Sequence, residues 1–272
     1  MRTMHSSDEI CGLWPFRVVL GLLAACGFLL FGREPLSSDA LHYYTMSISL
    51  LETGTSRFYW PLGWPMAMAA VQAIFGASQL IAKLFSLALV VLTLEIQLRT
   101  VRRSLTGQCH QRHLWLLAYG CVALNGLYLL YHGTMTYSVV PMAFLGSLLV
   151  YAILFMRSPL LSGVLIALMT TVRFGSIALL PFVLFYQYRV RRNTITALMA
   201  TAALSMAIIA VPIVWVSVSL GQRVLLNTAN DLNLFYGNHP NAPLYETWPM
   251  GHTRRSRRTR CHRGSDGEIF PR

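Results

Sequence analysis

The sequence predicts an all-α protein, a multispan bundle of about seven transmembrane helices whose long first outer loop carries a short helix of its own. Three observations predict it. Of the 272 residues, 55% are hydrophobic and only 12% charged, about half the ~25% charge of a soluble domain, and the mean hydropathy is +0.51. The apolar residues fall into runs near the ~20 residues needed to cross a hydrocarbon core. The basic residues, 22 Lys and Arg against 10 acids, sit in short loops between those runs and at the C-terminal end. This composition excludes a secreted disulfide scaffold, a disordered chain and a conventional water-soluble enzyme. A pI near 10.0 is also the mark of nucleic-acid binding, but the loop arginines follow membrane topology, so no nucleic-acid partner is expected. The five cysteines, at 11, 26, 109, 121 and 261, contain no CxxC pair, which indicates neither a zinc site nor a disulfide framework.

The first apolar run is Pro15 to Gly32. Leu23-Ala24-Ala25-Cys26 resembles a lipoprotein cleavage box, yet more apolar residues follow Cys26 and many spans come after, so the run reads as a transmembrane helix. Residues 33–62 are polar and aromatic and hold Glu34, Asp39 and Glu52. Ser37 or Ser38 is a good N-cap, which starts a helix at Asp39 and runs it to about Glu52. Gly63 to Phe75 is a short apolar helix, placed in the interface or against the bundle. After a Gly76-Ala77-Ser78 break, 81–98 is long enough to cross, and further spans read as 114–131, 135–156, 160–172, 175–188 and 195–219. The pair around Arg173 is short, tilted or bent around a water-accessible cavity.

Arginine placement sets the orientation. With the N-terminus inside, Arg2, Arg17, Arg99, Arg102, Arg103, Arg112, Arg157, Arg189, Arg191 and Arg192 are cytoplasmic, against Arg33, Arg57, Arg173 and Arg223 outside. That puts loops 33–62 and 220–250 on one outer face of a transmembrane module spanning 1–250. The basic tail 251–272 changes composition abruptly and has no helical or strand periodicity. It reads as a disordered or frame-shifted segment.

Asp39, Tyr43 and Met46 share one face of the outer helix, with His42 adjacent. A carboxylate in a helix's first turn is held ionised by the dipole. In a cleft it accepts a proton from a hydroxyl or ligates a divalent cation; on a plain surface helix it only caps. Arg173, near membrane depth, is either an anion-binding cation or a side chain snorkelling to the interface. Arg57 is a second phosphate candidate or a solvated loop charge. Lys83, near one end of its helix, reads as a snorkelling side chain, Tyr59, Trp60 and Trp64 as an aromatic belt, and His132 as structural.

In order along the chain come Asp39 and Tyr43, Leu51-Glu52-Thr53-Gly54, Trp60-Pro61-Leu62-Gly63-Trp64-Pro65 and Phe75-Gly76. Thr171-Val172-Arg173-Phe174 and the segment Asn230 to Pro240 follow. This series resembles the GT-C glycosyltransferases, and within them the dolichyl-phosphate-mannose–protein mannosyltransferase-like branch with its lipid A sugar transferases. The resemblance covers residues 15 to about 245. It departs where Ala40 stands in place of a second acid and where His239 replaces an Asn. Family members are also longer, so the chain resembles their N-terminal part.

The resemblance implies transfer of a hexose from a polyprenyl-phosphate donor to an acceptor hydroxyl on a lipid, glycan or protein at the outer face, with inversion. Asp39 would be the general base. His42, Tyr43, Arg57, Trp60, Arg173, Asn233, Tyr236, Gly237 and Asn238 would line the substrates. The resemblance implies no certain cofactor and leaves room for a divalent metal. The expected location is a bacterial plasma membrane, with membrane lipids around the bundle. A multispan transporter or lipid-handling protein is the alternative, as is an inactive truncated transferase. Against the transporter, the sequence shows no repeated halves and concentrates its polar residues in one outer loop.

Overall fold

The structure is a computed structural model, and it describes residues 14–36, 38–55, 61–105, 112–156 and 158–221. Among these residues every regular element is helical. In chain order they are α1 (Trp14–Phe31), α2 (Ser38–Thr53), α3 (Gly63–Phe75), α4 (Gln79–Leu105), α5 (Arg112–Thr134), α6 (Val139–Tyr151), α7 (Pro159–Val172), α8 (Leu179–Arg189) and α9 (Ile195–Leu220). A π-helical turn, Ala152–Met156, extends α6, and a 3₁₀ turn, Phe174–Ala178, joins α7 to α8. Three segments are long and apolar enough to cross a membrane: Gln79–Leu105, Val139–Met156 and Ile195–Ser219. The chain is therefore a helical membrane protein by length and composition. The 14 residues of α7 and the 11 of α8 rise only about 21 and 17 Å at 1.5 Å per residue.

Local chemistry sets the helix ends. Ser158 is extended and its Oγ accepts the Leu161 N–H at 3.3 Å, with Pro159 at the first helical position of α7. Thr194 caps α9 in the same way, accepting from the Ala197 N–H at 3.3 Å. Such caps satisfy N–H groups that the helix itself leaves without a partner. Gly221 ends α9 at φ +63°, a conformation glycine adopts without the Cβ penalty.

Polar contacts mark two distinct ends of the bundle. At one end Lys83, near the start of α4, donates from Nζ to the Gly32 carbonyl at 3.1 Å and to the Glu34 carbonyl, closing the C-terminus of α1. Lys83 is only 1% exposed, which corrects the expectation that it snorkels: the frayed carbonyls after α1 draw it inward. At the other end Arg17 of α1 meets Glu95 of α4 in a two-point ion pair, 2.5 and 3.0 Å, and Arg99 joins at 2.8 Å. There, too, Arg191 Nη2 donates to the Ile153 and Leu154 carbonyls at 2.8 Å each, groups the π-helical turn exposes.

Close approaches fix the rest. A Cβ on Gly163 of α7 would fall 2.4 Å from Thr201 Cγ2 and 2.7 Å from Ser205 Oγ, both on α9. Small residues at such crossings are how membrane helices gain dispersion contact where lipid offers no hydrophobic drive. Large apolar side chains such as Leu29, Phe182 and Val218 stay exposed on the outside, as a lipid-facing surface requires.

Candidate active site

The site is built where α2 docks on the end of the bundle that carries Lys83. The docked face of α2 is Ala40, Tyr43, Met46, Ser47 and Leu50, all buried, at the spacing of one helical stripe. Ser47 accepts a hydrogen bond from Gln72 Nε2 of α3 at 3.2 Å, which sets the register of α2. Asp39 sits in the first turn, half-buried, one turn before Tyr43. His42 lies beside them on the exposed flank of the helix.

Below α2, Trp64 is 1% exposed and packs with Tyr43, Met68, Ala82 and Val172. Its ring stacks on Phe85, centroids 5.4 Å apart. This corrects the aromatic-belt expectation for Trp64. The indole is a core anchor, because its Nε1–H has a buried acceptor, the Thr136 carbonyl at 2.7 Å.

The residues 135–138 were expected at the start of a span, but the helix begins only at Val139. The reason is Thr136, held at φ +56°, a left-handed conformation that is a genuine outlier for a β-branched residue. The resulting turn swings Ser138 to Tyr43, with which it forms a side-chain hydrogen bond. Opposite, α7 ends at Arg173, whose backbone is extended (φ −144°, ψ 112°) and whose side chain is exposed. The adjacent Thr171 backbone lies under Gly63, where an added Cβ would sit 2.7 Å from its carbonyl carbon.

Electrostatics tie these elements together. Burial pushes the Tyr43 phenol above its ordinary value; the Ser138 hydrogen bond opposes this, the Asp39 carboxylate adds to it and the Arg173 guanidinium opposes it. The Tyr137 phenol is raised by burial first, and then by the fields of Asp39 and Tyr131. Both phenols are protonated donors at neutral pH. At one end of the bundle the Asp39 carboxylate thus acts on both phenols, and the Arg173 guanidinium on that of Tyr43. Such groups can take a proton from a hydroxyl and hold an anion beside it.

Of the residues expected at the site, Asp39 and Arg173 lie within electrostatic reach of Tyr43, and His42 stands on the exposed flank of α2. Arg57, Trp60, Asn233, Tyr236, Gly237 and Asn238 lie outside the described residues, as do the loop 222–250 and the tail 251–272. Thr136, Tyr137 and Ser138 were missed. The signal for them was a polar run, Thr134 to Ser138, between two apolar stretches. Among the described residues no three His, Cys, Asp or Glu side chains gather as a metal would need. No protein-family model, curated protein or solved structure matches the chain.

Proposed function

We propose that this protein is a membrane glycosyltransferase that moves a sugar, mannose or a related hexose, from a polyprenyl-phosphate donor to an acceptor hydroxyl, inverting the anomeric centre. One observation carries the reading. The two charged groups whose fields reach the buried Tyr43 phenol, Asp39 and Arg173, are engaged by no side-chain hydrogen bond or ion pair among the described residues. Lys83, Glu95 and Arg191, by contrast, are occupied in holding the bundle together.

In the reaction Asp39 takes the proton of the acceptor hydroxyl as its oxygen bonds to the anomeric carbon. The bond from that carbon to the phosphate oxygen breaks, and its electron pair leaves with the lipid phosphate. Arg173 neutralises the charge that collects there, the service fixed cations give to a leaving oxyanion. The Tyr43 and Tyr137 phenols, held protonated, donate hydrogen bonds to sugar or phosphate oxygens. The reading includes a GT-C arrangement of seven crossings, a cytoplasmic N-terminus and a bacterial plasma membrane. The acceptor is then a lipid, glycan or protein at the outer face.

The test is transfer from a defined polyprenyl-phosphate hexose by the purified chain in lipid. Asp39→Asn lowers turnover by ~10²–10⁴-fold, the usual worth of a positioned base, with an unchanged unfolding midpoint. Wild-type turnover in that variant, or a product of retained configuration, would sink the assignment.

A further inference from the structure

At the opposite end of the bundle α4, α5 and α6 enclose a groove of about 600 Å³ that the proposed reaction does not use. This is within the ~300–1,000 Å³ of ordinary ligand pockets. Its walls are mostly apolar, but three polar side chains cross it in a chain. Asn125 Nδ2 donates to Gln97 Oε1 at 3.0 Å, and Gln97 Nε2 donates to Ser147 Oγ at 3.0 Å. The chain is not saturated. Each amide nitrogen carries a second hydrogen, and Asn125 Oδ1 accepts no hydrogen bond among the described residues. Polar groups left open at membrane depth are costly and point to a function.

Charge stands at the mouth of the groove. Arg103 lies one turn beyond the lining residue Thr100 and is exposed. Its guanidinium is steadied over the Tyr151 and Phe155 rings, at 5.3 and 5.6 Å from their centroids. No carboxylate among the described residues pairs with it, since Glu95 is taken by Arg17 and Arg99. Gln97 precedes Arg103 by six residues, about 9 Å along the helix axis. The layout is therefore a cation at the membrane surface, amide donors roughly two turns deeper, and an apolar trough between helices.

We propose that this groove holds one glycerophospholipid with an anionic head group. The phosphate meets Arg103, the ester carbonyls accept the spare hydrogens of Gln97 and Asn125, and an acyl chain lies along Val101, Val122 and Val150. The charge at the mouth and the donors at ester depth match that molecule. A zwitterionic lipid brings its own cation to the same place and is disfavoured by Arg103. The site is independent of the chemistry at the Asp39 end.

Native mass spectrometry of the intact chain, exchanged from detergent into phosphatidylglycerol or phosphatidylcholine with identical acyl chains, tests it. One phosphatidylglycerol is retained per chain at lipid concentrations at least tenfold lower than phosphatidylcholine. Arg103→Gln removes the preference, Arg103→Lys keeps most of it, and Ala118→Trp, which fills the groove, reduces retention of both lipids. Cys121 lines the groove and is free and exposed, so a second readout needs no change to the groove. With the other four cysteines replaced, phosphatidylglycerol slows maleimide labelling of Cys121 and phosphatidylcholine does not. Equal retention of the two lipids, retention untouched by Ala118→Trp, or labelling that ignores the head group overturns the proposal. Asp39→Asn binds the lipid as the wild type does, which separates failure here from failure of the transferase reading.

Discussion

Gly63→Ala tests the contact that brings the two halves of the candidate site together. The added Cβ would fall 2.4 Å from Thr171 Oγ1 and 2.7 and 2.8 Å from the carbonyl carbon and oxygen of the same residue. The hydroxyl can turn aside. The backbone cannot, so the start of α3 and the end of α7 must part by several tenths of an ångström. Overpacking of this kind costs about 1–3 kcal/mol, against roughly 0.5–1 kcal/mol returned by replacing a helical glycine with alanine. The net loss is about 0–2.5 kcal/mol, centred near 1 kcal/mol. Gly146→Ala is the control, because its Cβ would meet only Met169 Cε at 3.9 Å, and it is expected to be neutral or slightly stabilising. Reversible unfolding in mixed micelles, followed by circular dichroism, reads both. Displacement beside Trp64 and Arg173 also lowers transfer at least tenfold, since a ~1 Å misplacement can cost ~10²-fold. If Gly63→Ala unfolds at the same denaturant concentration as Gly146→Ala, the close approach is refuted, along with the docking argument built on it.

Trp64→Phe keeps the stack on Phe85 but strands the Thr136 carbonyl, and leaving a buried acceptor unpaired costs ~1–3 kcal/mol; the same unfolding assay reads it. Lys83→Met removes the donor that closes α1 and is expected to lower stability by ~1.5–3 kcal/mol, the range for hydrogen bonds to a charged group. The Tyr43 phenol titrates higher in the folded protein than its ordinary value of 10.0. Its contribution to stability is thus fully present below that pH and lost as pH rises through the folded value. Tyr43→Phe flattens this alkaline limb; an unchanged slope above pH 10 in that variant would contradict the burial of the phenol.

Much of the element order was legible in the sequence. The start of a helix at 38–39, the break at Gly76-Ala77-Ser78 and the spans read as 160–172 and 195–219 each lie within a few residues of helices in the structure. Which side of each helix faces the protein was not legible. In a soluble helix a polar face declares the outside, but here the lipid-facing side is as apolar as the core. Phe182 and Phe185 are exposed while Leu94 and Leu98 are buried, and nothing in their identity separates them. The same blindness hid Trp64, whose partner lies 72 residues away. Lys83 was misread because its acceptors are backbone carbonyls, which carry no residue signature. The turn at 135–138 was masked by Met135 and by the apolar residues that follow it.

Where the helices break, backbone groups lose their partners, and in a membrane such groups must be met from within the protein. Trp64 meets Thr136, Lys83 meets Gly32 and Glu34, and Arg191 meets Ile153 and Leu154. Each of these long polar side chains is explained by the break it closes. The strain at Thr136 is the part that closure does not explain. A left-handed threonine costs about 1–2 kcal/mol, and a turn that only had to join α5 to α6 could use glycine. What the strained turn accomplishes is to set Ser138 against Tyr43 and Tyr137 within the field of Asp39. Strain of this order persists where surrounding contacts over-determine it, and it clusters at sites that must hold groups in place. The carboxylate and the guanidinium at that same end close no break. On the proposed transferase reading, the strained turn and the two charges beside it serve one task.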